Sequence, residues 1–290
     1  MTQQWEPAMP DVARARLARI REGGAWDSQL SVGEFAAISS AGFDPVGQVL
    51  GAAVFHIGFD GQSDYFPSAA LEQSMYDARR LALDRAVAQC TALGGDGIVG
   101  VTFRVERFPA GGMEITTLGT AVRARSRIRP ARPFTSHVTG QDFAKLVHAG
   151  WIPFDVVFGI RIAVGPDIAR SGSLGNQEID VYTQVVSDAR RGAGDRLAED
   201  AKAHGGDGVV MYQMELLRRE WERVRTGPRG NLIETHYFIA EAIFVGTSIV
   251  SFGRPRDQVV QPPMSVMMLS KALTMNQEKA AAPASRTGPK

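Results

Sequence analysis

The sequence is poor in cysteine, with Cys90 as the one cysteine among 290 residues. A lone thiol forms no internal disulfide and is too few for a zinc or iron–sulfur cage built from cysteine. The histidines are scattered along the chain, and neither an HxH nor a CxxC spacing occurs. These absences favour a reducing compartment and argue against a soft-metal site made from neighbouring residues.

The sequence also lacks an excess of charge of either sign. Lysine and arginine total 32 and aspartate and glutamate total 31, which leaves a formal net charge of +1 at pH 7. A nearly neutral chain has no global field that would draw it to nucleic acid or to an anionic membrane. We therefore expect no nucleic-acid partner.

No segment has the character of a targeting or membrane-spanning sequence. The start of the chain, MTQQWEPAMP, is polar and interrupted by proline, unlike a secretory signal. The most apolar stretch, His236 to Phe252, is shorter than the about 20 residues that cross a bilayer, and it contains Glu241. The sequence thus predicts a cytoplasmic protein without a membrane span.

Two loops that could bind phosphate lack the familiar motifs as well. The nucleophile-elbow pattern GxSxG does not occur. The loops GFDGQSD and GSLGN match neither GxGxxG nor the P-loop pattern GxxxxGK followed by Ser or Thr. Because no catalytic constellation can be named, we expect a protein that is not an enzyme.

An internal duplication accounts for most of the chain. Residues 34–55 align with residues 142–163 at an offset of 108, with 7 identities in 22 positions. Residues 78–99 align with residues 189–210 at an offset of 111, with 12 identities in 22 positions. Self-similarity of this strength indicates two copies of one structural unit.

Both copies close on a similar phrase, LGTAV at residues 118–122 and VGTSI at residues 245–249, at an offset of 127. The second copy therefore carries 16 additional residues before this phrase. These residues enlarge the closing hairpin with a charged extension, which we expect to lie in solvent.

The two copies predict the same series of elements. In the first, the capping box of Ser31 and Glu34 opens a short helix that Gly42 ends, and the apolar run from Val46 to Ile57 predicts a buried strand. A long helix follows, ends in the turn GGDG, and leads into a strand and a closing hairpin. The second copy repeats these signals, so each copy is predicted to fold as α-β-α-β-β.

The buried stripe of each long helix is rich in alanine, which predicts close packing on a sheet or a partner helix. Gly192 and Gly194 interrupt the second long helix. Each glycine costs about 1 kcal/mol of helix propensity relative to alanine. We expect the close approach of another backbone at these glycines to offset that cost.

The duplication predicts five segments in the chain. They are an N-terminal helical extension at 1–26, a first domain at 27–125, a basic linker at 126–133, a second domain at 134–252 and a C-terminal extension at 253–290 that is disordered at its end. Three main strands per copy leave open sheet edges, so we expect the chain to form a homo-oligomer.

The run from the long helix through GGDGIVGVTF to LGTAV resembles the family called YbjQ-like or "putative heavy-metal-binding". The hallmark of that family is a helix ending in a GAD or GGD turn, a valine-rich strand and a closing GTAV. The first copy is similar to one such domain and the second copy to a more divergent one. The resemblance implies a small α+β domain that forms rings, commonly pentamers, with a poorly defined function and no established set of metal ligands.

The residues themselves offer three candidate ligands for a divalent metal ion. His56 and Asp60 belong to the densest local mixture of imidazole and carboxylate in the first copy, and Asp96 lies in the GGDG turn. Bracing of the turn is the favoured interpretation for Asp96, a packed core thiol for Cys90, and a packing or helix C-terminal role for His204. No cofactor-binding residue is identified.

Two classes of function therefore stay open. The favoured one is a non-enzymatic oligomeric assembly or small-ligand-binding protein. The alternative is a metal-handling protein that uses histidine and carboxylate ligands.

Overall fold

The computed structural model describes residues 9–56, 69–108, 112–167, 178–226, 228, 231–252 and 266–268. The first repeat consists of α2 (Val32–Ser40), β1 (Phe43–His56), α3 (Ala69–Ala92), β2 (Gly97–Phe108) and β3 (Gly112–Ala124). The second consists of α4 (Gly140–His148), β5 (Trp151–Pro166), α5 (Asp180–Ala203), β6 (Gly208–Thr226) and β7 (Leu232–Ser251). Among the described residues, three further elements lie outside the repeats: α1 (Asp11–Arg21), β4 (Phe134–Thr135) and β8 (Val266–Met268). The order α-β-α-β-β in both repeats confirms the predicted α+β fold with two tandem copies.

Side-chain caps open the first helix of each repeat. The Ser31 hydroxyl accepts the Glu34 N–H at 3.3 Å, and the Glu34 carboxylate accepts the Ser31 N–H at 2.8 Å, which completes the predicted capping box. The Thr139 hydroxyl accepts the Asp142 N–H at 3.2 Å in the second repeat. Gly42, with φ of +85°, follows α2 in the left-handed region that ends a helix.

Each repeat builds an antiparallel sheet with its last strand in the centre, in the orders β1-β3-β2-β4 and β5-β7-β6-β8. The outer edge of β2 is joined in parallel by β4, where Gly97 lies opposite Phe134. Strand β8 pairs antiparallel with the outer edge of β6, where Gly208 lies opposite Met268. Short strands from outside the repeats thus cover one edge of each sheet. Residues 134 and 135, assigned by the sequence to the second domain, pair with the sheet of the first.

The long helices lie close on their own sheets, as the alanine stripes predict. A Cβ atom on Gly51 of β1 would lie 1.9 Å from the carbonyl oxygen of Ala82 in α3. A Cβ atom on Gly159 of β5 would lie 2.0 Å from the carbonyl oxygen of Ala193 in α5. Only glycine fits at these two strand positions, because any side chain would overlap the helix backbone.

The expectation for Gly192 and Gly194 was wrong. A Cβ atom on Gly192 would meet the Arg161 side chain at 2.7 Å, and a Cβ atom on Gly194 would have no described neighbour nearer than Phe244 at 3.9 Å. The atoms nearest to both glycines thus belong to side chains and not to another backbone. The close contact depends instead on the strand glycine, because α5 turns its alanines and not these glycines toward the sheet.

Helix α3 lies between the two sheets. The largest buried cluster joins α3 to both of them and includes Val49, Val101, Met75, Leu83, Phe158, Ile160 and Ile243. Phe103 of the first sheet also contacts Phe158 of the second, with ring centres 5.3 Å apart. The second sheet is therefore covered by α5 on one face and by α3 of the first repeat on the other.

The additional residues of the second copy lengthen its closing hairpin. Strands β6 and β7 have 19 and 20 residues, against 12 and 13 in β2 and β3. Pairing continues to Thr226 opposite Leu232. Glu222, Val224 and Glu234 near the tip are exposed, as predicted for an extension in solvent.

The helices of the described residues are too short or too polar to cross a membrane. The predicted disorder at the C-terminal end falls outside the described residues, as does the turn between β2 and β3. The domain boundaries other than those of the helices and strands stay predictions.

Candidate functional site between the two repeats

Helix α3 presents four polar side chains to the second repeat. Glu72, Tyr76, Arg79 and Arg80 recur at helical spacing and share one face. Glu72 is 2% exposed and Arg79 is 4% exposed. Charges this deeply buried are stable only when they are paired and hydrogen-bonded, so their partners define the contact.

Arg80 is the centre of an ionic cluster between the repeats. One guanidinium nitrogen donates to Asp155 Oδ2 and another donates to Asp200 Oδ2, both at 3.0 Å. Arg80 Nε donates to the Tyr76 hydroxyl at 3.1 Å, and that hydroxyl donates to Asp200 Oδ1 at 2.7 Å. The cluster therefore ties α3 of the first repeat to β5 and α5 of the second.

The two carboxylates keep Arg80 charged. Burial lowers the pKa of Arg80, but the charges of Asp155 and Asp200 outweigh burial and leave that pKa raised. Burial raises the pKa of Tyr76, and its hydrogen bond to Asp200 acts in the same direction. The guanidinium carbon of Arg80 also lies 5.1 Å from the ring centre of Phe158, within the range of a cation–π contact.

His204, at the end of α5, completes the cluster. Its Nδ1 lies 2.7 Å from the carbonyl oxygen of Asp200, and its Nε2 lies 3.7 Å from Asp155 Oδ2. This contact with a carbonyl of the last turn is the predicted helix C-terminal role. Asp155 also accepts a hydrogen bond from the Thr135 hydroxyl, and Asp200 accepts the Phe158 N–H at 2.9 Å.

A second ionic group lies nearer the start of α3. Glu72 Oε1 accepts the Ile162 N–H of β5 at 2.8 Å. Glu72 Oε2 lies 2.5 Å from a guanidinium nitrogen of Arg196 in α5, and Arg161 lies 3.6 Å from Oε1. The carboxylate thereby covers part of the outer edge of β5.

Arg79 faces acidic residues of the second sheet. Burial lowers the pKa of Arg79, whereas the charges of Glu241 and Glu215 act to raise it. Burial has the opposite effect on the acid and raises the pKa of Glu241. The carboxylate of Glu241 lies 3.3 Å from Arg219. Arg79 also donates to the carbonyl oxygen of Met75 at 2.8 Å. The charges of Arg79 and Glu241 thus act on each other across the contact, whereas the ion pair of Glu241 is formed with Arg219 of its own repeat.

A cleft of about 660 Å³ opens beside the ionic cluster. Both repeats and the linker form its largely apolar walls, which include Phe43, Ile128, Pro130, Phe134 and Phe154. The polar residues Asp96, Arg129, Asp155 and His204 also line it. An apolar cleft with a few converging polar groups has the usual form of a small-molecule site.

The structure places two of the predicted metal ligands, His56 and Asp96, at opposite ends of the first sheet. His56 is the last residue of β1 and pairs with Gly112, whereas Asp96 precedes Gly97, which pairs with Val122 at the other end of β3. The distance along β3 between these points is about 30 Å at the usual rise per residue. The side chain of His56 and all of Asp60 lie outside the described residues, so a metal site at that loop stays a prediction.

Asp96 holds the turn that follows α3. Its Oδ2 accepts the Ala124 N–H at 2.8 Å and also pairs with Arg129. Asp207, the equivalent residue of the second repeat, accepts the Ser251 N–H at 3.0 Å. The same brace in both repeats supports the structural interpretation of the GGDG turn.

Cys90 is a core residue, as expected. It is fully buried, and its Sγ donates to the Gly97 carbonyl oxygen at 3.3 Å. Burial and the nearby charge of Asp96 raise the pKa of the Cys90 thiol to about 12. The thiol is therefore protonated at neutral pH and is a poor nucleophile and metal ligand.

Among the described residues, one group of histidine and carboxylate side chains is arranged so that it could hold a metal ion. Glu222, Glu234 and His236 of the long hairpin offer ligand atoms within 4.8 Å of one another. Glu222 lies opposite His236 in the β6–β7 register. Sequence reasoning missed this group because the residues meet only once the register of the hairpin is known.

The ionic cluster was missed as well. The pair Arg79–Arg80 recurs in the second copy as Arg190–Arg191, which was a signal that these arginines have a shared role. Asp155 has no acidic counterpart in the first copy at offset 108, where Gly47 stands. No local pattern therefore indicates that Asp155 pairs with Arg80.

The two sheets and the shared helix define a tandem α+β repeat protein with a buried ionic contact between its repeats. A family model described as "Putative heavy-metal-binding" matches residues 66–125. The Encapsulin nanocompartment protein Rv1762c of Mycobacterium tuberculosis (strain ATCC 25618 / H37Rv) is 33% identical over 227 residues, which cover 74% of this chain and 86% of that protein. The chain belongs to the YbjQ-like family, in a tandem form.

Two archaeal relatives match a shorter part of the chain. A UPF0145 protein of Halorubrum lacusprofundi is 45% identical over 51 residues, which cover 18% of this chain and 49% of that protein. A UPF0145 protein of Halobacterium salinarum is 42% identical over 53 residues, which cover 18% of this chain and 51% of that protein. These matches have the length of about half a repeat, whereas the mycobacterial match spans most of both proteins.

Proposed function

We propose that the chain is a non-enzymatic assembly protein that binds further copies of itself through its repeated domains. The observation that carries the proposal is an asymmetry between equivalent surfaces. The face of α3 that carries Glu72 and Arg79 is buried against the second sheet. The equivalent residues of α5, Thr183 and Arg190, are exposed. A surface that one repeat buries is thus left open by the other.

The name of the mycobacterial relative supports an assembly role, since it is that of a nanocompartment protein. Closed symmetry restricts the possible forms, because a chain with two equivalent domains cannot fill a ring of five positions without a remainder. Stacked rings, or a ring with an even number of domains, are the closed geometries that we propose. A cytoplasmic location and the lack of catalysis remain part of the proposal.

Within this proposal, the cleft beside Asp155 and His204 is the place where a small ligand would bind. A native mass spectrum of the untagged protein tests both parts together. We expect a mass of several times the 31.3 kDa chain, and any retained ligand adds to that mass. A spectrum with the single-chain mass alone at micromolar concentration would contradict the assembly proposal.

Metal handling is the second candidate function. It is favoured by the hairpin group of Glu222, Glu234 and His236 and by the description of the matching family. Three exposed or half-exposed ligands make a weak site, since structural zinc takes four ligands. We therefore expect no submicromolar zinc binding in calorimetric titrations of chelator-treated protein. Submicromolar binding that is lost in His236→Ala or in His56→Ala would favour the metal role instead.

A further inference from the structure

The contact between the two repeats is a template for a contact between two chains. Within one chain, Arg79 of α3 lies against the second sheet near Glu241 of β7. Ile162, which lies directly opposite Glu241, and Phe158 provide the apolar part of the same face and are 5% and 1% exposed. A helix with an arginine therefore docks on a sheet face with a glutamate among apolar residues.

Both of these charged residues have equivalents in the other repeat. Arg79 corresponds to Arg190 of α5 at the offset of 111, and Glu241 corresponds to Glu114 of β3 at the offset of 127. Each repeat thus has the helix arginine and the sheet glutamate in equivalent places. Within the described part of one chain, the arginine of the first repeat lies near the glutamate of the second, as the influence of each charge on the other's pKa indicates.

The other two residues have no such partner in the described part of the chain. Arg190 is exposed, Glu114 is half-buried, and neither forms an ion pair with a described residue. Around Glu114 the sheet face is open: Val54, directly opposite Glu114, is 53% exposed, and Leu50 is 41% exposed. Val54 and Leu50 are the equivalents of Ile162 and Phe158, which α3 covers in the second sheet.

The charges of the open surfaces are complementary. Glu114 lies directly opposite Glu106 in the β2–β3 ladder, and like charges in this position repel each other. Arg104 pairs with Glu106 at 2.6 Å, which leaves Glu114 without a cation among the described residues. The exposed face of α5 offers Arg190, whereas its neighbour Arg191 pairs with Asp188 of the same helix.

We infer that the exposed face of α5 in one copy docks on the open face of the first sheet in the next copy. This inference rests on the proposed self-association. Arg190 of one copy pairs with Glu114 of the other, at the place where Arg79 lies near Glu241 within each chain. Because the two surfaces differ, the contact is head-to-tail and continues from copy to copy until it closes into a ring.

This contact is more polar than the one inside the chain. Ser187 and Gly194 of α5 stand where α3 has Tyr76 and Leu83. The contact therefore buries less apolar surface and depends more on charge. We expect association between chains to be reversible and weakened by salt, whereas the contact between repeats persists as part of the fold.

Charge reversal at the two residues tests the contact. We expect Arg190→Glu alone and Glu114→Arg alone to weaken association by at least about tenfold each, as measured by sedimentation velocity over a concentration series. Glu199→Arg is the matched control, since it reverses a charge on the same helix. Glu199 is nine residues further along α5, which places its side chain on about the opposite side of the helix from Arg190. We expect this control to associate as the wild type does.

A mixture of the two reversed variants gives the decisive result. At one kind of contact, the glutamate introduced by Arg190→Glu meets the arginine introduced by Glu114→Arg. At the other kind, the unchanged Arg190 of the second variant meets the unchanged Glu114 of the first, so we expect association to return with the variants in alternation. Mixed assemblies that form while each variant alone stays dissociated would support the inference, and circular dichroism confirms that each variant is folded.

Two other outcomes separate the inference from the proposal on which it rests. If the wild type associates and both reversed variants associate equally well, the docking surfaces are wrong and the assembly proposal stands. If the wild type is monomeric under the same conditions, the assembly proposal itself is wrong. Variants that dissociate and do not recover on mixing would also overturn the pairing of Arg190 with Glu114.

Discussion

Arg80 of the first repeat and Asp200 of the second form an ion pair of 3.0 Å, and their side chains are only 13% and 10% exposed. A buried ion pair contributes little net stability compared with an apolar contact of the same size, but the loss of one partner leaves the other charge uncompensated. The pair therefore fixes how the two repeats are placed relative to each other. It also gives a direct test of that placement.

Arg80→Met should lower the free energy of unfolding by about 3–5 kcal/mol, because Asp155 and Asp200 would be left buried without this cation. Arg191→Met is the matched control at the equivalent position of α5, where the arginine is exposed and pairs with Asp188 on the surface. This control should change stability by about 0.5 kcal/mol or less. Urea denaturation measures both, and equal losses in the two variants would contradict the buried cluster.

Gly159→Ala should destabilise the fold by more than about 3 kcal/mol, since its Cβ atom would lie 2.0 Å from the Ala193 carbonyl oxygen of α5. Gly194→Ala, at the residue that follows Ala193, should be neutral or stabilise by up to about 1 kcal/mol, because its Cβ atom meets no described atom nearer than 3.9 Å. Thermal melting of the two variants compares them directly. A stable Gly159→Ala protein would show that the helix does not approach the strand this closely.

His137 should make stability depend on pH in the acid range. The residue is 9% exposed, its Nδ1 lies 2.6 Å from the Thr247 hydroxyl oxygen, and its ring packs on Tyr212. That hydroxyl also accepts the backbone N–H of His137 at 3.0 Å, so Thr247 holds both the main chain and the ring of this residue. Burial lowers the pKa of His137 to about 4.

Because the unfolded chain has the ordinary histidine pKa of about 6.5, it binds this proton at a higher pH than the folded protein does. The contribution of His137 is complete above about pH 6.5 and is lost as the pH falls toward 4, by about 3 kcal/mol in total. His137→Asn keeps a polar side chain that can hydrogen-bond the Thr247 hydroxyl and removes the titration. Denaturation at a series of pH values should show a shallower loss in this variant, and an identical slope would contradict the assignment.

The order of helices and strands was predictable because it depends on local signals that occur twice. Ser31 and Thr139 cap equivalent helices, Gly51 and Gly159 mark equivalent contacts, and Asp96 holds the turn after α3 as predicted. Two independent copies of a signal make each one easier to recognise.

The contact between the repeats was not predictable from the sequence. It depends on equivalent residues of the two repeats having different environments, one buried and the other exposed. Arg80 and Arg191 occupy the same place in the repeat, yet Arg80 is buried against Asp155 and Asp200 while Arg191 is exposed. The parallel pairing of β4 with β2 is likewise a long-range contact, and no turn motif in the sequence predicts it. In both cases the outcome is set by the packing of one repeat on the other and not by local preference.

Light scattering behind a sizing column, on wild-type protein at micromolar concentration and low salt, tests the central claim most directly. The account predicts a mass of several times 31.3 kDa that decreases toward the single-chain mass as salt is raised. A mass of one chain under all conditions would contradict self-association as the function of the repeated domains.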